Sequence, residues 1–357
     1  LPQTAQPRYL KRIEHIKPYI FGYKILAFER DYFPSKLNKD QYTSLGQVEH
    51  GNYISRIPQL FKASLTMIRS VKSVDIIYSF GFDMLVLAFI TSLFHKRISI
   101  FYEVGDIRAI FLNRSFLGGF LRSVERLLLK KVDKVVVTSV EFKKKYYVDF
   151  LKAYNVKYHI VENKCDLNYM HKPSTRPQKS NNIIRLGYFG LIRCNQSLTV
   201  LEQLVSKSKK YRVIIRGFPL NIEKDLKLYT INDKIIYKGP YTVPNDLEMI
   251  YNQIDLVWAC YPYSSHKVGN YLWARTNRFY ESCYFKTPII SNIDNADSLE
   301  VKKHDIGIGI DLSDTDKAIE SLLKITNKDI KVWKKNMNSL PENIYKYSDE
   351  HKKLFNR

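Results

Sequence analysis

Cysteine is scarce in this chain and never clustered. Cys165, Cys194, Cys260 and Cys283 form no Cys-x-x-Cys pair. That spacing excludes the usual zinc sites and a disulfide framework, and predicts a reducing, cytoplasmic setting. Long apolar runs are lacking too: MLVLAFITSLF, at 84–94, falls well short of the ~20 residues that cross a bilayer, and reads as a buried helix. Carboxylates are in deficit, 35 against 57 lysines and arginines, for a formal charge of +22. Such a balance favours polyanions, anionic surfaces or phosphorylated small molecules as partners. No helix-turn-helix, RRM signature or Gly-rich RNA loop accompanies it, so nucleic acid is not an expected partner. No histidine sits in a motif, the loop residue His266 reads as solvated, and no Ser-His-Asp order supports a hydrolase.

What is present is ordinary in amount and regular in order. At 357 residues the chain predicts two domains, and 45% hydrophobic with 26% charged residues excludes wholesale disorder. The 26 tyrosines read mainly as core and rim. The opening LPQTAQPRYLKRIEHIKPY reads as a loop and helix whose preceding strand is missing, so a short N-terminal piece is expected to be absent. Strand-like GYKILAFER, VDIIYSF, RISIFYEV and DKVVVTS then alternate with helices expected around 57–71, 84–94 and 116–131. This is the rhythm of βαβ units on a parallel sheet. A polar interval at 168–182 reads as a linker, after which the rhythm restarts with IIRLGYFGLI, RVIIRGF, KIIYKGPY, DLVWACY, TPIISN and IGIGIDL. Open parallel sheets bind ligands beyond the carboxyl ends of their strands. Residues just after strands are therefore the candidates: Glu103 and Asp106, Thr138 and Ser139, Arg193, Arg216, the 239–241 loop and the approach to Glu281.

In order along the chain, YEVGDIR (102–108), SVERLLLKKVDKVVVTSVEF, HIVENKCD (159–166), RLGYFGLI, DLEMIYNQIDLVWACY, NRFYESCYFKTPII and YSDEHKKLF resemble segments of the GT-B glycosyltransferases, specifically the retaining family-4 enzymes of bacterial surface polysaccharides. The resemblance covers nearly the whole chain. It implies an α/β fold of two Rossmann-like domains facing across a cleft, with an acceptor domain at 1–170, a nucleotide-sugar donor domain at 183–335 and a C-terminal helix at 336–357 folding back. It also implies transfer of a sugar from a nucleotide-diphosphate donor to a hydroxyl of a glycan or polyprenyl-linked acceptor, in capsule, O-antigen or exopolysaccharide synthesis. No metal or other cofactor is expected.

The family's paired glutamates are separated by seven intervening residues. Glu281 matches the second, which takes the ribose hydroxyls, but Trp273 stands where the first would be. Tyr271, Trp273 or Asn277 is left to contact the donor sugar. A carboxylate can accept both hydroxyls of a diol, and the start of its helix can receive the diphosphate. The competing reading pairs Glu281 with Arg278 on a helix surface; otherwise Arg278 joins the donor site. Positive charge to offset what develops on the leaving phosphate is expected from Arg193, where the family carries an arginine, and from Arg216, with Lys267 as a third candidate. The lysine that usually follows the arginine is absent in RCNQSL. In the first domain, Asp106 or Glu103 would orient or deprotonate the acceptor, although Asp106 also suits a helix cap. Arg108 would anchor an acceptor phosphate or pair with Asp106. Thr138 and Ser139 read as helix caps.

The stretch FLNRSFLGGFLRSVERLLLKK interleaves Arg114, Arg122, Arg126, Lys130 and Lys131 with leucine and phenylalanine. It reads either as an ordinary amphipathic core helix or as a face for an anionic leaflet at the inner side of the plasma membrane. The missing first glutamate keeps one rival function open, a catalytically inactive GT-B partner subunit of a transferase complex.

Overall fold

The computed structural model describes residues 1–30, 35, 37–48, 56–170, 173, 182–230, 233–262 and 268–356. The chain divides into two compact units, Leu1–Glu162 with Asp349–Arg357, and Asn163–Ser348. Most of the expected linker at 168–182 lies outside the described residues.

The first unit opens with helix α1 (Pro7–Ile16), where proline occupies the first turn and its missing N–H costs nothing. Strands β1 (Leu26–Glu29) and β2 (Thr43–Gln47) form a parallel pair. Helix α2 (Arg56–Ser70) leads to β3 (Ile76–Phe80), α3 (Phe82–Phe94), β4 (Ser99–Val104), the short α4 (Ala109–Leu112), α5 (Phe116–Leu129) and β5 (Lys134–Val137). A π-helical segment, Phe142–Phe150, precedes β6 (Tyr158–Ile160). Strands β3-β4-β5-β6 make a parallel sheet in sequence order. Right-handed crossovers between parallel strands put α3 and α5 on the same face of that sheet.

Two buried carboxylates tie this unit together. Glu103, at the end of β4, is 0% exposed and accepts from Arg12 Nε (2.9 Å), Arg8 Nη2 (3.3 Å) and the Tyr78 hydroxyl (2.6 Å). Burial alone would raise its pKa, but Arg12 and Arg8 outweigh burial and hold the carboxyl below its ordinary range. Arg12 also meets His351 Nε2 at 2.5 Å. Glu125 of α5 accepts from the hydroxyls of Tyr102, Tyr146 and Tyr147 at 3.1, 2.5 and 3.3 Å, with burial raising its pKa to about 7.

In the second unit the order along the chain is β7 (Ile184–Ile192), α6 (Asn195–Lys207), β8 (Tyr211–Pro219), β9 (Ile235–Tyr237), α7 (Leu247–Asn252), β10 (Leu256–Trp258), α8 (Asn270–Trp273), α9 (Asn277–Tyr284), β11 (Ile289–Asn292), α10 (Ala296–His304), β12 (Gly307–Ile310), α11 (Thr315–Leu323) and α12 (Asn327–Asn338). The six strands are parallel in the order β12-β11-β10-β7-β8-β9. This is the doubly wound dinucleotide-binding order, with its reversal between β7 and β10. Alternate side chains feed two cores. Leu186, Tyr188, Leu256, Trp258 and Ile290 pack on one face with residues of α6, α11 and α12. Phe189, Val257, Ala259 and Ile289 pack on the other with residues of α7, α9 and α10.

The helix expected over 336–357 is two pieces. Helix α12 ends at Asn338, ahead of Pro341, and α13 (Glu350–Phe355) packs in the first unit against α1 and β6. A proline cannot continue a helix, which is why the run breaks there.

Removing one partner of a buried ion pair strands the other charge. Arg12→Ala should cost about 3–5 kcal/mol of stability, read as a lowered denaturation midpoint in urea; an unchanged midpoint would show that the Glu103 cluster contributes nothing to holding α1 and α13.

Candidate functional site

The strand-order reversal of the second unit gathers the polar groups that matter. Arg193 is the first residue after β7, and Tyr261 comes three residues after the end of β10. The Arg193 guanidinium lies 5.5 Å from the ring centres of both Tyr261 and Tyr271, whose rings are 5.7 Å apart. Contacts of this kind contribute about 0.5–2 kcal/mol each. Tyr261 is itself fixed, because its N–H donates to Asn292 Oδ1 at 2.8 Å and its carbonyl accepts from Asn292 Nδ2 at 3.2 Å. Arg278 of α9 spans the same reversal, donating to the Phe189 carbonyl of β7 at 2.8 Å and to the Cys260 carbonyl beyond β10 at 3.5 Å.

Helix α9 starts at Thr276, whose hydroxyl accepts from Phe279 N–H at 3.1 Å. Thr276 in turn donates its N–H and hydroxyl to the buried carboxylate of Asp297, the hydroxyl at 2.7 Å. Asn277 is exposed at the first position of the helix, and Glu281 is buried one turn further on. Glu281 accepts from the Tyr251 hydroxyl at 3.0 Å, and Tyr251 stacks on Phe285. Burial, then the Glu281 charge, pushes the pKa of the Tyr251 hydroxyl well above its ordinary value, so it stays a donor. The surface Glu281–Arg278 pair considered from the sequence does not describe this setting, since the helix carries its glutamate inward.

Several expected residues sit differently from their sequence reading. Arg216 does not follow β8 but lies within it, with Nη2 donating to the Pro240 carbonyl at 3.2 Å and Nε buried without a hydrogen-bond partner. The strand runs on to Pro219 because Gly190 and Gly217 are register partners. A Cβ on Gly217, at φ +139°, would meet the Gly190 carbonyl oxygen at 1.7 Å, so only glycine allows this approach. Glu103, enclosed by two arginines and a tyrosine, is a structural anchor rather than a carboxylate open to an acceptor. Asp106 remains 67% exposed, with Arg8 Nη1 4.0 Å away. Arg108 pairs with Asp83 through two bonds of 3.1 and 2.9 Å. Ser139 accepts from Phe142 N–H, a turn-capping contact, and Thr138 donates to the Gly105 carbonyl. Trp273 is buried in α8. Lys267 and His266 lie outside the described residues. Among the described residues no three His, Cys, Asp or Glu side chains are grouped to hold a metal ion.

Tyr261, Asn292 and Asp297 were not singled out by sequence reasoning. Tyr261 had a findable signal, since it closes the strand-like run DLVWACY; Asp297, in the first turn of a helix after β11, gave none.

The same architecture recurs in solved structures. Anabaena Alr3699/HepE, solved in complex with UDP, superposes with a TM-score of 0.68 at 14% identity, over 99% of this chain and 96% of that one. Sucrose-phosphate synthase from Thermosynechococcus elongatus gives 0.66 at 11% identity, over 99% and 93%. The chain has the GT-B fold. By sequence, this GT-B chain is 27% identical over 295 residues to the succinoglycan biosynthesis protein ExoL of Rhizobium meliloti (strain 1021), covering 79% of this chain and 71% of that protein. No family model matches it.

Asp297 gives the GT-B site a pH signature. Burial raises its carboxyl from 3.8 to about 6, against the opposing bonds from Thr276. The folded form therefore keeps a proton that the unfolded chain releases, and this contribution to stability is full below about pH 4 and is lost as pH rises to about 6. Asp297→Asn, which retains an acceptor for Thr276, should remove this dependence. The stability difference between wild type and variant should change by about 2–3 kcal/mol between pH 4 and 6, measured by urea denaturation across that range; a constant difference would place the ionised form comfortably in the fold.

Proposed function

We propose that this GT-B protein is a retaining glycosyltransferase of surface-polysaccharide synthesis, moving a sugar from a nucleoside diphosphate to a hydroxyl of a glycan or polyprenyl-linked acceptor. The observation that carries the reading is the convergence of Arg193, Tyr271, Asn277 and Glu281 on elements around the β7/β10 reversal, where doubly wound sheets bind nucleotides. The complex of HepE with UDP and the succinoglycan role of ExoL support it.

In this reading Glu281 accepts the ribose hydroxyls, with Tyr251 keeping it oriented. Arg193 offsets the charge that grows on the β-phosphate as the bond from sugar C1 breaks, with Arg216 and Lys267 as further cations and no metal required. Free N–H groups at the start of α9 meet the diphosphate. Tyr271 and Asn277 flank the sugar in place of the missing first glutamate, and Arg278 positions α9. On the same face of the sugar a new bond forms from the acceptor oxygen to C1, and its proton passes to the departing phosphate oxygen. Asp106 orients the acceptor hydroxyl. The protein acts from the cytoplasmic side of the plasma membrane.

A thermal-shift screen against UDP, GDP, ADP, CMP and dTDP tests the donor site. One diphosphate present at 100 times its dissociation constant should stabilise the fold by about 2.7 kcal/mol, and Glu281→Ala should abolish the shift. Arg193→Ala should keep nucleotide binding but lower the transfer rate by roughly 100- to 1000-fold. The buried Trp273 favours the inactive-partner reading instead, and no shift with any nucleotide would decide for it.

A further inference from the structure

In the first unit α2 packs against α3, and α3 against α5. Together they form a helical layer whose outer side is apolar and basic. On α5, Phe116, Phe120 and Leu127 follow one another at spacings of four and seven, which places them on a single helical stripe, and all three are exposed, Phe116 by 92%. Phe94 at the end of α3 and Phe61 on α2 are 66% and 70% exposed. Large apolar side chains gathered on one surface mark a contact site more often than chance exposure does.

The charges select the occupant. Helix α2 contains no acidic residue; the single carboxylate of α3 is Asp83, bound by Arg108; and the single carboxylate of α5 is Glu125, turned inward to three tyrosines. Exposed Lys62, Arg114, Lys130 and Lys131 lie on or beside these helices, which carry no carboxylates besides those two. Arg122 is drawn away from the surface by the carbonyls of Phe111 and Asn113, so it does not contribute. A second copy of this chain would oppose like charges across such a contact. An anionic lipid leaflet would instead supply counter-charge to the lysines and hydrocarbon to the phenylalanines.

We propose that the outer face of α2, α3 and α5 docks this protein onto an anionic membrane surface, with the α5 stripe seated at the headgroup–acyl boundary. Among the described residues no helix is long and apolar enough to cross a membrane, so the contact lies on the leaflet. It does not depend on the donor-site reading above.

Co-sedimentation of the whole chain with vesicles tests this, using phosphatidylcholine alone and phosphatidylcholine mixed with phosphatidylglycerol, at low and high salt. Binding should require phosphatidylglycerol and weaken with salt. Phe116→Ser with Phe120→Ser, and separately Lys130→Glu with Lys131→Glu, should each lower partitioning by roughly tenfold. Circular dichroism melts check that these surface variants fold. Lys328→Glu with Lys331→Glu, an equal charge change on α12 of the other unit, controls for the net positive charge and should leave binding near wild type. Three results would overturn the proposal: no wild-type binding to phosphatidylglycerol vesicles at low salt, α5 variants that bind as wild type does, or a control pair that loses as much as the α5 lysine pair.

Discussion

A guanidinium held between two strand ends organises the second unit. Where strand order reverses, β7 and β10 lie side by side but their chains depart to opposite faces of the sheet. Arg278 donates to a carbonyl of each departing strand region, and so fixes where α9 begins relative to the sheet. Asp297 holds the same helix start from the other direction through Thr276. With α9 pinned at two points, Glu281 and Asn277 inherit their positions from the backbone rather than from loop chance. Arg193 is restrained in a different way, by aromatic faces that leave its N–H groups available.

The first unit solves a related problem with carboxylates. A chain carrying +22 has fewer acids than bases, and two of those in this unit, Glu103 and Glu125, are enclosed. Glu103 binds α1 to the end of β4 through Arg8 and Arg12, and Arg12 carries the connection to His351 in α13. Glu125 collects three tyrosine hydroxyls. Turning acids inward has a surface consequence: the layer made by α2, α3 and α5 is left basic and apolar on its outside.

The strands and long helices were legible because their apolar periods are clear: VDIIYSF, RISIFYEV and DKVVVTS fall on β3, β4 and β5, and 116–131 falls on α5. Glu281 was legible as a helix residue near a strand, and Arg193 as a strand-end cation. Glu103 was misread because a carboxylate after a strand looks the same in sequence whether it faces solvent or two arginines from a helix 91 and 95 residues away. Arg216 was misplaced because the strand outlasts its apolar run, and the cause, a glycine-to-glycine approach between β7 and β8, belongs to a pair of strands and not to either alone.

The sequence by itself determined the class of the fold and its order, since backbone periodicity and turn chemistry act over a few residues and repeat. It determined too that the chain would be strongly basic, and where an arginine and a glutamate would stand relative to their strands. Only the tertiary structure decided which charges are sheltered and which are open, that Arg278 serves two carbonyls rather than Glu281, and that Tyr261 and Tyr271 bracket Arg193. Those outcomes depend on groups brought together from distant parts of the chain. Burial and distance, which set the strength of every charge interaction, have no local expression in sequence.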